Sequence, residues 1–547
     1  TLNLLLKYFI CLCMEYKMSA LQEAFERRNK KSNKIEELKK EQKAIEFINN
    51  FETVVKNGYE NLTNAQSKHL LKCYGIYDKD DENEFVIRIR IPYGQLTLEQ
   101  AKMFAKTSKE FGNSRIDLTT RSQVEFRHLK FKELPTVLAN LQSVGITTYQ
   151  TAGDNLRGII TSIFDGYATT SLIDCKDLVE DLHDVFLKNP DFIGTLPRKF
   201  NTGILGNTIN DCNIYGHDCA FVLASKDEKL GFNLYLGGKV GVQSRPIDIF
   251  IEPHQVKEVF KNILELFKTF GFRDNRNKNR LTYFLDEVST KEFTQALINT
   301  TTTTLQPAGT TLVKEEYLLD ESSIYKLRDE KSGVYFPIPA GLFNSDDLEE
   351  VTALMEETNS VLRFTHEQSF FIITDDKNIQ TIKDSKIFKK YEAYNNLFFR
   401  NQIACAGTNE CSFGVIPNKS DSIEMAFYLN EHIPMEKGKI RMYWSACPKG
   451  CGVHGVADIG FEGAKAKDED GIACDGVKIF LGGKATIKIL EARQLSKAIP
   501  LKKAQEVVKN LIEIYKNERI DDETFENFDT RVLSNLTVEE IQSKIGL

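Results

Sequence analysis

Cys405, Cys411, Cys447 and Cys451 stand as C-x5-C and, after 35 intervening residues, C-x3-C. Four thiolates at such positions can hold an iron-sulfur cluster. The C-x5-C gap departs from the tighter C-x2-4-C pairs of structural zinc while C-x3-C lies within them, so a zinc site remains a reading that the cysteines alone leave open. Gly407, Gly450, Gly452 and Pro448 disfavour regular helix around them, so both cysteine pairs are expected on loops able to converge on one cube. Electron transfer is the chemistry these residues suggest first.

The remaining seven cysteines, Cys11, Cys13, Cys73, Cys175, Cys212, Cys219 and Cys474, are scattered and read mostly as small buried side chains. Eleven cysteines in 547 residues are too few and too uneven for a disulfide scaffold, which suits a reducing, cytoplasmic setting. The length exceeds one ordinary core, and 41% apolar with 27% charged content describes a globular chain of several domains. A net charge of -7 with no basic stripe excludes nucleic acid as an expected partner. Leu2 to Met14 is the one apolar candidate for targeting, but Lys7 interrupts it and it is too short to span a bilayer, so no membrane partner is expected. Met18 opens a plausible start, and residues 1–17 read as a start-site artefact.

The elements that must position the cysteines recur. Residues 19–57 have apolar positions at helical spacing and form an expected helical arm. FVIRIRI, from Phe85 to Ile91, alternates like a strand; the turn PYG, the helix LTLEQAKMFAKTSKEFG and the strands RIDLTT and QVEFRHLK follow. In the second half VYFPIPAG, the helical SDDLEEVTALMEETN and the strand-turn-strand VLRFTHEQSFFIIT repeat that order. Gln123 and Gln368 are 245 residues apart, as are the two LGGK segments at 236–239 and 481–484. One offset at two anchors implies a duplicated module, longer than any solenoid repeat. The threonine run and Pro-Ala-Gly between Asn299 and Thr311 place the boundary between halves near residue 310.

With Cys451 followed by GVHGVADIGFEG, the cysteine pattern resembles the cluster signature of the ferredoxin-dependent nitrite reductases and assimilatory sulfite reductases, from about residue 60 to 535. The resemblance implies an α+β fold with pseudo-twofold duplicated siroheme reductase architecture: two ferredoxin-like half-domains and two larger siroheme- and cluster-binding α+β domains. The expected segments are an arm at 1–80, half-domains at 81–150 and 311–395, and siroheme domains at 151–310 and 396–547, the last with the cluster. It implies siroheme and a [4Fe-4S] cluster as cofactors, Cys405, Cys411, Cys447 and Cys451 as cluster ligands, and Cys451 as the bridge to the siroheme iron.

Siroheme carries eight carboxylates and the substrate is an anion, so fixed cations are required. By resemblance, Arg88, Arg157 in GDNLRG, and Lys199 and Asn201 in LPRKFN surround the substrate, while Thr119, Thr120 and Arg121 bind siroheme carboxylates. Without the family these cations would read as ordinary surface charges, and Arg88 with Arg90 as one solvated strand face. Asn201 stands where sulfite reductases carry a second Lys, which favours monoanionic nitrite; Tyr77 is the sulfite-type signal. Ser122, Gly158, Ala406 and Lys449-Gly450 depart from the family's usual residues, with consequences for cofactor tuning. No dinucleotide fingerprint follows a strand, so ferredoxin or another low-potential donor protein is expected to supply electrons for reducing nitrite to ammonium. Sulfite reduction to sulfide, or a non-catalytic iron-sulfur or zinc protein, are the alternatives. The basic segment RDNRNKNRL, Arg273 to Leu281, is expected on a solvated face or at the donor contact.

Overall fold

The computed structural model describes residues 20–79, 81–314, 323–486 and 488–547. The expectations about residues 1–17, and about Cys11 and Cys13, fall outside the described residues. The chain divides into two compact units: residues 20–93, 126–239 and 243–314 in the first, and 94–125, 240–242 and 323–547 in the second.

In the first unit, Thr202–Leu205 runs parallel to Cys219–Lys226, which pairs antiparallel with Lys229–Leu236, itself antiparallel to Arg245–Ile251. Parallel bridges Leu156 to Phe200 and Ile160 to Gly203 add a further segment beside Thr202–Leu205. The helix Val256–Phe270 has Val259, Phe260, Ile263, Leu264 and Phe267 buried at helical spacing, and these join Phe221, Phe232 and Leu234 of the strands in one core. Each such side chain contributes about 1.5–3 kcal/mol by leaving water.

The second unit repeats this order. Gln402–Ala404 and Met442–Ser445 are parallel, as are Met442–Ser445 and Ile459–Lys467, and Ala473–Leu481 returns antiparallel. The helix Leu501–Glu518 supplies Ala504, Val508, Leu511 and Ile512 to its core. This unit also contains two similar helices. Thr97 caps Leu98–Phe111 through a capping box with Gln100, and Asn344 caps Ser345–Thr358 by accepting from Asp347 N. Ion pairs Lys102–Glu356 and Lys109–Glu349 set the two helices antiparallel. Short strands are exchanged around them: Gln95–Leu96 pairs with Val361–Phe364, and Leu342–Asn344 pairs with Arg115–Leu118. That exchange places residues 94–125 with the second half of the chain.

Backbone geometry registers the duplication more closely than residue identity does. In IPYG and IPAG, Tyr93 and Ala340 both lie in the left-handed region (φ 42° and 50°), each followed by a left-handed glycine; they are 247 residues apart. Asn213 and Val453 (φ 49° and 53°) are 240 apart, and Gly237 and Gly482 (φ 81° and 76°) are 245 apart, the LGGK offset. The expected match of Gln123 with Gln368 is one residue out. Thr119 N donates to Gln123 O and Thr119 Oγ1 accepts from Gln123 N; in the second half these bonds join Thr365 to Ser369. Ser122 and Gln368 are therefore the matching left-handed residues (φ 52° and 58°), because the turn, not the shared glutamine, defines the position.

Candidate functional site

The cysteines emerge from the parallel strands of the second unit. Cys405 follows Gln402–Ala404 and donates its N–H to Trp444 O at 3.1 Å; Cys447 follows Met442–Ser445. Both segments are loops, as expected from their glycines. Gly407 has φ 82°, and a Cβ there would lie 1.9 Å from Pro417 O; one at Gly452 would lie 1.8 Å from Trp444 O. Cys405, Cys411 and Cys447 are half-buried, Cys451 is exposed, and the described cysteines form no disulfide.

Cys405 Sγ accepts from Ala446 N at 3.2 Å and from Asn418 Nδ2 at 3.4 Å. Burial, with the neighbouring Cys451 and Cys447, pushes this thiol up to about 11 against the pull of the Ala446 and Gly407 N–H groups. Donors aimed at a sulfur from fixed backbone are what a thiolate ligand of a cluster requires. Among the described residues no three His, Cys, Asp or Glu side chains converge on a point as ligands of a single ion would. The C-x5-C loop is tied down by Arg115, which spans Glu410 at 2.6 Å and Asp117 at 2.9 Å, both carboxylates being buried. The carboxylate-binding candidates form the turn of the same unit: Thr119, Thr120 and Arg121 are half-buried, and the left-handed Ser122 reaches His366 Nδ1 at 3.1 Å. Ile403, Tyr443 and Ala457, all buried, make a small apolar group with the half-buried Val453, apart from the main core. The donor chemistry fits both groups: a sulfur held by fixed N–H donors suits a cluster, and half-buried hydroxyls with a guanidinium suit siroheme carboxylates.

The anion-binding candidates lie in the first unit. Arg157 donates from Nη1 to Thr151 O at 2.6 Å and from Nη2 to Gly153 O at 3.0 Å. Burial, with repulsion from Arg88 and Arg198, pulls its guanidinium down to about 10, against the favourable pull of Tyr77 and Asp154. Arg88 lies over the Tyr77 ring, 5.1 Å from its centroid. The Arg157 loop and LPRKFN are joined by Arg157 N to Phe200 O at 2.9 Å and Phe200 N to Asn155 O at 3.0 Å, so Arg157 is brought beside the half-buried Lys199 and Asn201. Two buried acids lie among these cations: Asp154, which Arg198 approaches at 3.7 Å, and Asp218, which accepts the Asn201 N–H at 2.8 Å.

Two expectations are corrected. Arg90 is not on a solvated face: it is 1% exposed and donates to the carbonyls of Tyr149, Leu156 and Arg157. RDNRNKNRL is solvated only in part: Asn275, Asn277 and Lys278 are exposed, whereas its arginines are held by buried acids. Arg273 pairs with Glu36, Arg276 is bidentate to Asp154 at 2.7 and 2.8 Å, and Arg280 is bidentate to Asp218. Asp154 also receives Lys39 at 3.1 Å and Arg198 at 3.7 Å. The arginines' three- and four-residue spacing was the signal in the sequence; their buried partners were too distant in the chain to be recognised.

Doubly built α+β units with cysteine loops after parallel strands define a redox enzyme of duplicated design. The chain belongs to the nitrite and sulphite reductase family: the description "Nitrite and sulphite reductase 4Fe-4S domain" matches residues 152–304 and 398–544, and "Nitrite/Sulfite reductase ferredoxin-like half domain" matches 77–144. It is similar to the ferredoxin–nitrite reductases of Synechococcus elongatus (30% identity over 83% of this chain and 91% of that one) and Leptolyngbya laminosa (27%, over 88% and 96%). In fold it is similar to the NirA protein of Mycobacterium tuberculosis, with TM-score 0.84 at 20% identity over 94% of this chain and 98% of that one. The family makes the chain an enzyme whose cofactors are siroheme and a [4Fe-4S] cluster, and removes the non-catalytic reading. Among the described residues no helix is long and apolar enough to cross a membrane.

Proposed function

We propose that this enzyme reduces nitrite to ammonium and two waters, consuming six electrons and eight protons, with the electrons drawn from ferredoxin or a similar low-potential protein. The observation that carries the reading is the joining of the Arg157 loop to LPRKFN by Arg157 N to Phe200 O at 2.9 Å and Phe200 N to Asn155 O at 3.0 Å, which gathers Arg157, Lys199 and Asn201 as donors for an anion. When bound, siroheme supplies the iron at which nitrite is reduced and the cluster delivers electrons to it one at a time. Cys405, Cys411, Cys447 and Cys451 would hold the cluster, with Cys451 also the residue that would link it to siroheme, and Thr119, Thr120 and Arg121 would bind siroheme carboxylates. Arg88 and Arg157 hold the anion's oxygens by forked donors, and Lys199 holds a proton within reach of an oxygen that must leave as water.

Asn201 sets the preference for nitrite, because a neutral amide adds no further charge for a dianion. The relatives compared are ferredoxin–nitrite reductases, which supports the same choice. Tyr77, stacked under Arg88, is the one residue that favours sulfite. The chain's acidity and thiol-state cysteines suit a cytoplasmic enzyme. Turnover of purified holoenzyme with both anions and a reduced low-potential donor tests the proposal: nitrite should have the higher kcat/KM, and Asn201→Lys should move the ratio towards sulfite. An unchanged ratio in that variant, or a native preference for sulfite, would overturn the reading.

A further inference from the structure

Asp218 is fully buried and serves two partners. Its Oδ2 accepts the backbone N–H of Asn201 at 2.8 Å, while Arg280 grips both oxygens, Nε to Oδ1 at 2.8 Å and Nη2 to Oδ2 at 2.7 Å. The carbonyl of Asn201 then accepts from Cys219 N at 3.1 Å, at the point where Thr202–Leu205 begins its parallel pairing with Cys219–Lys226.

The second unit contains the same device with one difference. Asp458 Oδ2 accepts the backbone N–H of Arg441 at 2.7 Å, the carbonyl of Arg441 accepts from Ile459 N at 3.1 Å, and Met442–Ser445 pairs parallel with Ile459–Lys467. Arg441 is thus the counterpart of Asn201 and Asp458 of Asp218, both 240 residues on. There, however, the guanidinium comes from Arg441 itself, whose Nη2 reaches Asp458 Oδ1 at 2.6 Å. The side chain at that position is occupied by its own aspartate. In the first unit Arg280 supplies the guanidinium from a distant part of the chain, and the side chain at position 201 is released from that duty.

We propose that Arg280 is the positioning residue for Asn201: it neutralises and orients Asp218, which fixes the Asn201 backbone and leaves its side chain available to the substrate anion. The inference rests on the reading of Asn201 given above. Arg280 Nη2 also reaches Gly238 O at 3.3 Å, so the same guanidinium ties down the LGGK turn. A lysine cannot reproduce this fork, because one ammonium cannot meet both carboxylate oxygens and the carbonyl in fixed directions.

The test compares holoenzymes carrying R280Q, R280K, N201A and N201A/R280Q. Nitrite KM and kcat are measured alongside the dissociation constant of nitrite from the visible spectrum of the resting enzyme, and amide hydrogen exchange is followed at Asn201 and Cys219. R280Q should raise KM and the dissociation constant about tenfold, the value of one lost charge-assisted bond, with a smaller change in kcat and faster exchange at both amides; R280K should fall between. In the N201A background R280Q should add nothing further. Unchanged KM and dissociation constant in folded, fully loaded R280Q, or additive effects in the double variant, would overturn the inference. If N201A alone changes neither constant, the reading of Asn201 itself is what fails. Should R280Q not fold, D218N/R280Q replaces it, since it leaves no buried charge unpaired while the amide oxygen introduced by D218N can still accept from the Asn201 N–H. KM must then rise only to the extent that Asn201 exchange does, and a rise in one without the other overturns the inference.

Discussion

Asp154 is the residue whose loss should be felt most widely in the first unit. It is 1% exposed and receives Arg276 through two bonds, Lys39 at 3.1 Å and Arg198 at 3.7 Å. Asp154→Asn removes the charge at nearly constant volume and leaves three cations facing a neutral amide. Breaking a buried ion pair from one side costs about 3–5 kcal/mol. The Arg276 and Arg198 side chains keep 32% and 27% of their exposure and can partly rehydrate, which places the expected loss near the lower limit, about 3 kcal/mol. Native-state amide exchange in Lys229–Leu236 reports this without assuming that the whole chain unfolds at once; the variant should exchange about a hundredfold faster at pH 7. Burial alone would raise the Asp154 carboxyl, but Lys39, Arg276 and Arg198 together hold it well below the usual carboxylate range. Its stabilisation is therefore complete above the unfolded pKa of about 3.9 and fades only as the pH falls through the lower folded value. The gap between wild type and variant should persist at pH 5 and close only in stronger acid. A loss under about 1 kcal/mol, or a gap already closed at pH 5, would show that the hub is not the buried ion-pair network described.

Replacing Cys405 by Ala should abolish bound iron and labile sulfide, whereas the same change at Cys474, half-buried and outside both loops, should leave them at wild-type levels; chemical assay of the purified proteins decides it. Gly407→Ala should also lower iron content and cost at least about 1–2 kcal/mol, because a Cβ must be carried at φ 82° against the Pro417 carbonyl, as thermal unfolding of the cofactor-free protein will show. Arg115→Gln should cost about 2–3 kcal/mol by leaving Glu410 and Asp117 without their shared cation. A cavity of about 430 Å³ is lined by Arg115 and Glu410 and admits water to them, which keeps the cost below that of a sealed site; exchange in the 405–411 loop is the measurement.

What was legible in the sequence was whatever is carried by neighbours. Cysteine spacing, loop glycines, the helix Leu98–Phe111 and the order of strand, turn and helix depend on local chemistry, and the structure has them within a few residues. What escaped depends on partners far apart in the chain. Arg90 alternates with Arg88 and looked equally exposed, yet three carbonyls some 60 residues away hold it in the interior. The exchange of two short strands cannot be inferred from periodicity, because segments of two or three residues have none to show.

The duplication makes the same point about function. Offsets of 247, 246, 240 and 245 at the left-handed positions mean that insertions and deletions have accumulated between fixed backbone devices. The devices persisted because each satisfies buried polar groups at a strand end, and residue identity drifted around them. Where the two copies differ, one has been relieved of a structural contact. Arg441 must neutralise Asp458, whereas Asn201 need not neutralise Asp218, since Arg280 does so. Position 201 is thereby free of a neutralising contact that position 441 retains, because Arg280 supplies it from a distant part of the chain.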